Sequence, residues 1–216
     1  MQKRAVLFDL DGVLVTTDDC HYRAWKKMAD EEGVPFTRTD NERLRGISRM
    51  ESLEIVLEKA SRIYTESEKL ALADRKNRYY VQLIQDLTEQ AILPGAKETI
   101  LRLRKAEVMI AVASSSKNAK LILKQVGLLD CFDAVVDGTQ ITKSKPDPEV
   151  FLKAAELLHK LPQDCIVVED ADAGIAAAKS AGMYAVAVAN AHGGDLHCCD
   201  LKHIDLLKLA VGGILQ

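Results

Sequence analysis

Two carboxylates, Asp9 and Asp11, stand two residues apart at the end of the apolar run Ala5-Val6-Leu7-Phe8, and Gly12 follows directly. In an extended backbone that spacing sends both side chains to roughly the same side. A glycine at the next position lets the chain turn sharply, or lets a ligand approach the backbone. An apolar strand that ends in unpaired carboxylates makes a poor core, because uncompensated buried charge is costly. Such a cluster calls for a cation, and hard oxygen ligands at this density suit Mg2+. The plainer alternative is a strand end followed by a solvated turn.

Further groups of this kind recur down the chain. The strand-like run Met109-Ile110-Ala111-Val112-Ala113 ends at Ser114, and Ile166-Val167-Val168 ends at Glu169-Asp170. Lys145 lies in Ser144-Lys145-Pro146-Asp147-Pro148, on the loop before a helix expected from Asp147 to His159. In doubly wound sheets, sites collect at the carboxyl ends of the strands. Each group has an ordinary explanation when taken singly. Ser114 reads as a helix cap, Lys145 as a solvated charge, and Glu169-Asp170 as a capped helix start.

The elements around these groups alternate. Strands are expected at 5–9, 109–113, 134–136, 166–168 and 184–189. Between them lie helices from Pro94-Gly95 to Lys105, at 119–126, at 147–159 and at 173–181. Apolar strands alternating with helices argue a parallel sheet covered on both faces. Residues 17–90 contain no convincing strand. Apolar periodicity gives helices over 21–32, 50–63 and 66–86, the last opened by Thr65-Glu66-Ser67-Glu68 with the spacing of a capping box. The expected architecture is an α/β core of residues 1–16 and 92–216, a doubly wound parallel sheet, with a helical cap inserted at 17–91. The hinges fall near 15–18 and 90–93.

Composition narrows the classes. The formal net charge of −3 supplies no basic field for nucleic acid or an anionic membrane. The apolar run after Lys3 and Arg4 is cut short by Asp9, which argues against a signal peptide, and no segment approaches a membrane span. The cysteines, Cys20, Cys131, Cys165, Cys198 and Cys199, are odd in number and lack a framework spacing; they read as reduced thiols of a cytoplasmic protein. His192, His197, Cys198, Cys199 and His203 cluster near the end of the chain, but their spacing matches no zinc-finger pattern.

Phe8-Asp9-Leu10-Asp11-Gly12-Val13, then Ser114, Lys145 and Glu169-Asp170, resemble in order the four motifs of the haloacid dehalogenase (HAD) superfamily of phosphoryl-transfer enzymes. The resemblance implies that Asp9 is the nucleophile. It makes Asp11 the general acid/base, lending its main-chain carbonyl to Mg2+. Ser114 would bind a phosphoryl oxygen, Lys145 would neutralise phosphate and nucleophile, and Glu169 and Asp170 would supply metal ligands. It also implies a cis bond before Pro146; such a bond lies only about 0.5–1 kcal/mol above trans.

The inserted segment is similar to that of the sugar-phosphate mutase branch of this superfamily. The resemblance rests on His21-Tyr22-Arg23-Ala24-Trp25-Lys26, Leu44-Arg45-Gly46-Ile47-Ser48-Arg49, Ser52 and Arg75-Lys76-Asn77, with Ser114-Ser115-Ser116-Lys117-Asn118 in the core. It implies interconversion of β-glucose 1-phosphate and β-glucose 6-phosphate through a 1,6-bisphosphate. Arg49 would clamp the non-reacting phosphate, beside Ser116, Lys117 and Asn118. His21 and Lys76 would couple the cap to Asp11, and Trp25, Leu44, Gly46 and Ser52 would complete the sugar-phosphate site. Thr16 and Ala171 depart from the usual pattern, and the match weakens beyond Ala189. The alternatives are a sugar-phosphate phosphatase with the same core, or a silent binding protein, against which Asp9, Asp11, Lys145 and Asp170 all argue. The expected partner is a small sugar phosphate and the expected state a monomer.

Overall fold

The computed structural model describes residues 3–44 and 47–212. The chain forms two compact units, one of residues 17–87 and one of residues 1–16 with 88–216.

The first unit is helical: α1 (Asp18–Glu31), α2 (Arg38–Glu42), α3 (Arg49–Leu57) and α4 (Glu66–Ile84). Trp25, Met28 and Ala29 of α1 pack with Leu53 and Val56 of α3 and Leu72 and Ala73 of α4. Thr37, Ser48 and Thr65 open α2, α3 and α4 with reciprocal capping boxes. Each cap satisfies otherwise orphaned N–H groups and contributes about 1 kcal/mol. Helix α3 ends at Leu57 instead of reaching Ile63, and Ile63 is 95% exposed. Beyond the helix, Lys59 and Arg62 pair with the carboxylates of Asp40 and Glu68. Helix α2, at five residues, is too short to show a period.

The second unit holds a six-stranded parallel sheet in the order β3-β2-β1-β4-β5-β6. Its strands are β1 (Ala5–Phe8), β2 (Ile110–Ala113), β3 (Ala134–Val136), β4 (Cys165–Glu169), β5 (Tyr184–Val188) and β6 (Leu196–Cys198). The helices are α5 (Ala96–Lys105), α6 (Ala119–Gln125), α7 (Glu149–Leu157), α8 (Asp172–Ser180) and α9 (Leu206–Gly212). Ala5, Leu7, Ala111, Ala113 and Val167 face Phe151 and Ala154 of α7 and Ile175 and Ala178 of α8. Strand alternation sends Val6, Phe8, Ile110 and Val112 to the other face, and they too are fully buried. Burial on both faces explains why these strands are apolar without interruption.

Residues 88–91, expected with the cap, group with the sheet unit. Thr16 N–H donates to the Ala91 carbonyl, and Val15 forms a bridge with Ile92. Strand β6 and helix α9 were not expected. Leu196 and His197 are exposed on a three-residue edge strand, so no apolar run marks it.

Candidate active site

Strand β1 lies between β2 and β4, where the chain order reverses, and this switch point is where an open parallel sheet forms a crevice at its carboxyl edge. Asp9 stands one residue past β1, with its N–H donated to the Val168 carbonyl of β4. Glu169 is the last residue of β4, and Asp170 follows it. Oxygen atoms of Asp9, Glu169 and Asp170 lie within 4.8 Å of one another. Lys145 reaches this group from the loop between β3 and α7. Its Nζ donates to Asp9 Oδ1 at 2.5 Å, to Glu169 Oε2 at 2.7 Å and to the Ala113 carbonyl at 3.2 Å. The Lys145–Pro146 peptide is cis.

Asp9, Lys145 and Glu169 are all buried. Burial, then the charge of Asp9, pushes the Glu169 carboxyl up to about 8, against the pull of Lys145. The same two causes raise Asp170 to about 6. For Lys145, burial disfavours the ammonium, but Asp9 and Glu169 outweigh it and raise its pKa. Three carboxylates thus share one ammonium, and the site is short of positive charge. The donors are oxygen only, so the residues fit a hard divalent cation of the Mg2+ type.

Two glycines make room for these carboxylates. A Cβ on Gly12, whose φ is +82°, would lie 1.9 Å from Asp170 Oδ2, and one on Gly174 would lie 2.1 Å from Glu169 Oε2. Gly174 was not singled out from the sequence, although a glycine in the helix-forming run Asp172–Ser180 is itself a signal. It costs up to about 1 kcal/mol against alanine, and so implies close packing. Gly174→Ala should therefore displace Glu169 and weaken cation affinity roughly ten- to a hundredfold, with a loss of stability in chelator of about 1–3 kcal/mol from overpacking against the buried Glu169. Mg2+ titration of activity, with melting in EDTA, checks this; an unaltered Mg2+ requirement would mean that Glu169 lies outside the cation's reach.

Ser114 follows β2 and is buried, its N–H donated to the Val136 carbonyl. Its Oγ accepts from the Ser116 N–H at 3.1 Å, and Ser116 Oγ accepts from the Asn118 N–H at 3.2 Å. Ser114 thus makes a local turn rather than a helix cap. Lys117 is exposed on this loop. Ser115 Oγ is buried without a hydrogen-bond partner among the described residues. Gly138, also missed from sequence, lets the segment fold tightly, since its Cβ would lie 2.3 Å from the Ser115 carbonyl oxygen. Asp11 bridges to Val15, and the Gly12 N–H donates to the Val15 carbonyl.

The helical unit gathers a second group. Lys76, on α4, is buried, and its Nζ lies 2.9 Å from His21 Nδ1. That ammonium also sits 4.6 Å from the Trp25 ring centroid and 4.7 Å from that of Tyr80. Burial, then the charges of Lys76 and Arg49, holds His21 well below its ordinary pKa, so the imidazole is neutral and Nδ1 accepts from Lys76. Arg49, the first residue of α3, donates to Asn77 Oδ1 at 2.9 Å. Trp25 and Ser52 lie in the interior of the unit, and Leu44 packs against its apolar cluster. Gly46, expected in this group, lies outside the described residues.

A parallel sheet carrying acidic and lysine groups at its switch point has the arrangement that cation-assisted phosphoryl transfer requires. The chain belongs to the haloacid dehalogenase-like hydrolase family, whose model matches residues 3–182. It is 49% identical over 187 residues to the β-phosphoglucomutase of Bacillus subtilis, covering 86% of this chain and 83% of that one. It is 31% identical over 182 residues to a phosphorylated carbohydrates phosphatase of Thermotoga maritima, covering 83% of this chain and 82% of that one. Among solved structures it is similar to a β-phosphoglucomutase of Clostridium difficile, with a TM-score of 0.86 and 38% identity over 97% of this chain and 96% of that one.

Proposed function

We propose that the protein is a phosphomutase interconverting β-D-glucose 1-phosphate and β-D-glucose 6-phosphate through a phosphoaspartyl enzyme and glucose 1,6-bisphosphate. The observation that carries this reading is the 49% identity to the Bacillus subtilis mutase, in a chain that keeps Asp9 beside Lys145 and the acidic trio. A carboxylate and a phosphoryl group repel each other. Mg2+, when bound by Asp9, Glu169, Asp170 and the Asp11 carbonyl, supplies charge that offsets this repulsion. Lys145 adds a fixed ammonium at the nucleophile. Asp9 attacks the phosphorus and carries the phosphoryl group. Asp11 gives a proton to the leaving sugar oxygen and takes one from the attacking hydroxyl in the return step. Ser114 and the unpartnered Ser115 hydroxyl donate to phosphoryl oxygens. Arg49 clamps the second phosphate with bidentate, charge-assisted hydrogen bonds, and Ser116, Lys117 and Asn118 bind phosphate from the sheet unit. His21, Lys76 and Trp25, with Leu44 and Ser52, bind the sugar phosphate from the helical unit. The reading extends to a cytoplasmic monomer. The cysteines are free, and among the described residues no helix is long and apolar enough to cross a membrane.

The 31% identity to a carbohydrate phosphatase supports a second reading, hydrolysis of a sugar phosphate by the same core. The two differ in whether a sugar hydroxyl or water reaches the phosphoaspartate. NMR-followed incubation with β-glucose 1-phosphate, Mg2+ and trace glucose 1,6-bisphosphate decides between them. The expected product is β-glucose 6-phosphate; inorganic phosphate alone would establish the phosphatase. EDTA should abolish turnover and Mg2+ should restore it, and full activity in chelator would exclude the cation from the reaction.

Arg49→Ala separates the clamp from the chemistry. Loss of a charge-assisted phosphate contact costs about 1.5–3 kcal/mol, or roughly ten- to a hundredfold in kcat/KM. Mutase activity should fall by that factor, while phosphorylation of Asp9 by acetyl phosphate is spared. If both fall together, Arg49 does not act at the distal phosphate.

A further inference from the structure

Away from the acidic cluster, the segment after β6 brings three different ligand types together. Sγ of Cys199, a carboxylate oxygen of Asp200 and a ring nitrogen of His203 lie within 4.8 Å of one another. His203 Nδ1 is 3.0 Å from Cys199 Sγ and 2.6 Å from Asp200 Oδ1. One ring nitrogen therefore faces a thiol and a carboxylate at once. Asp200 Oδ1 already accepts the Lys202 N–H at 2.8 Å, which fixes the carboxylate at the start of the turn 201–203. The turn is held in place beneath: Thr99 Oγ1 of α5 donates to the Leu201 carbonyl, and Leu201 is buried. Cys199 and His203 are exposed, so the group opens to solvent.

We propose that Cys199, Asp200 and His203 form a surface site for a divalent late transition-metal ion, Zn2+ or a metal of the same borderline softness. Thiolate, imidazole and carboxylate are a donor set that Mg2+ does not favour and Zn2+ does. Binding releases the thiol proton to solvent and leaves the imidazole neutral with its proton on Nε2. The three donor atoms, which lie within 4.8 Å of one another, then face a cation. Three protein ligands on a tetrahedral ion leave a fourth position for water. The ion ties the end of β6 to the turn that packs on α5. The sequence spacing concealed this group because Cys199, Asp200 and His203 are all contributed by one tight turn rather than by two separated pairs.

Co2+ is the probe that separates this site from the acidic cluster, because only a sulfur ligand gives a thiolate-to-cobalt charge-transfer band. With the full chain in excess Mg2+, titration with Co2+ should give that band at one equivalent per chain, and Zn2+ should displace it. Cys199→Ala should abolish the band, and His203→Ala should weaken Co2+ binding at least tenfold. Cys131→Ser should change neither. All three variants should keep wild-type mutase activity in Mg2+, since none of these residues belongs to the acidic cluster. Absence of the band, or a band that persists in Cys199→Ala, would overturn the site. So would unaltered affinity in His203→Ala.

Discussion

Asp9→Asn should keep the fold and lose turnover by a factor on the order of 10³ or more. The amide has the size of the carboxylate, and Lys145 retains Glu169 as its partner at 2.7 Å. Substitution also removes the Asp9 charge that raises Glu169 and Asp170, so the remaining acids repel less. What is lost is the nucleophile. The variant should also fail to take up label from a radioactive acetyl phosphate, whereas the wild type forms an acid-stable, hydroxylamine-sensitive phosphoprotein. Turnover within tenfold of wild type, or a label that survives in Asp9→Asn, would remove Asp9 from the role.

Lys145→Met should lower kcat/KM by on the order of 10²–10³, the magnitude seen when one preorganised charge-stabilising donor is removed. Methionine matches the length of the stem and packs against Phe151, whose ring centroid lies 4.9 Å from Nζ. The loss therefore reports charge more than volume. Removing the ammonium leaves Asp9, Glu169 and Asp170 with no counter-charge from Lys145 and pushes Glu169 further toward its protonated form. Lys145→Arg should rescue poorly, because the side chain is only 5% exposed and a planar guanidinium does not replace a compact ammonium there. Steady-state kinetics on both variants, with circular dichroism to verify folding, checks this. Full rescue by arginine would mean that charge alone, without shape, suffices.

Much of this arrangement was legible before any coordinates. The β1, β2 and β4 runs end in groups that can do chemistry, and their apolar character on both faces required a covered parallel sheet. The convergence of Asp9, Lys145 and Glu169 was not readable from spacing alone. Lys145 sits 136 residues from Asp9, and only the resemblance to known motifs placed it in one site. Gly174 and Gly138 were missed because their role is to supply space; for Gly174 the one signal was its place in a helix-forming run, and Gly138, in a loop, had none. The Cys199–His203 turn was set aside because its spacing matches no zinc-finger pattern, and β6 was missed. Both are short and exposed, and neither apolar periodicity nor ligand-pair spacing operates over so few residues.

The pairing of β1 also sets an order of events at synthesis. Val6 lies beside Ile110 and Ile166, so the first strand made finds its neighbours only after more than a hundred further residues are translated. At roughly 5–20 residues per second this is a wait of several seconds or more. Residues 17–87 are contiguous and helical, so every residue of that unit is made before β2 and β4 are. The nascent chain therefore carries the whole helical segment while Ala5-Val6-Leu7-Phe8, apolar on both sides, is still without its β2 and β4 partners. In a cell the exposure of that tetrapeptide on the ribosome, rather than the stability of the finished sheet, is the stage at which a chaperone would matter most.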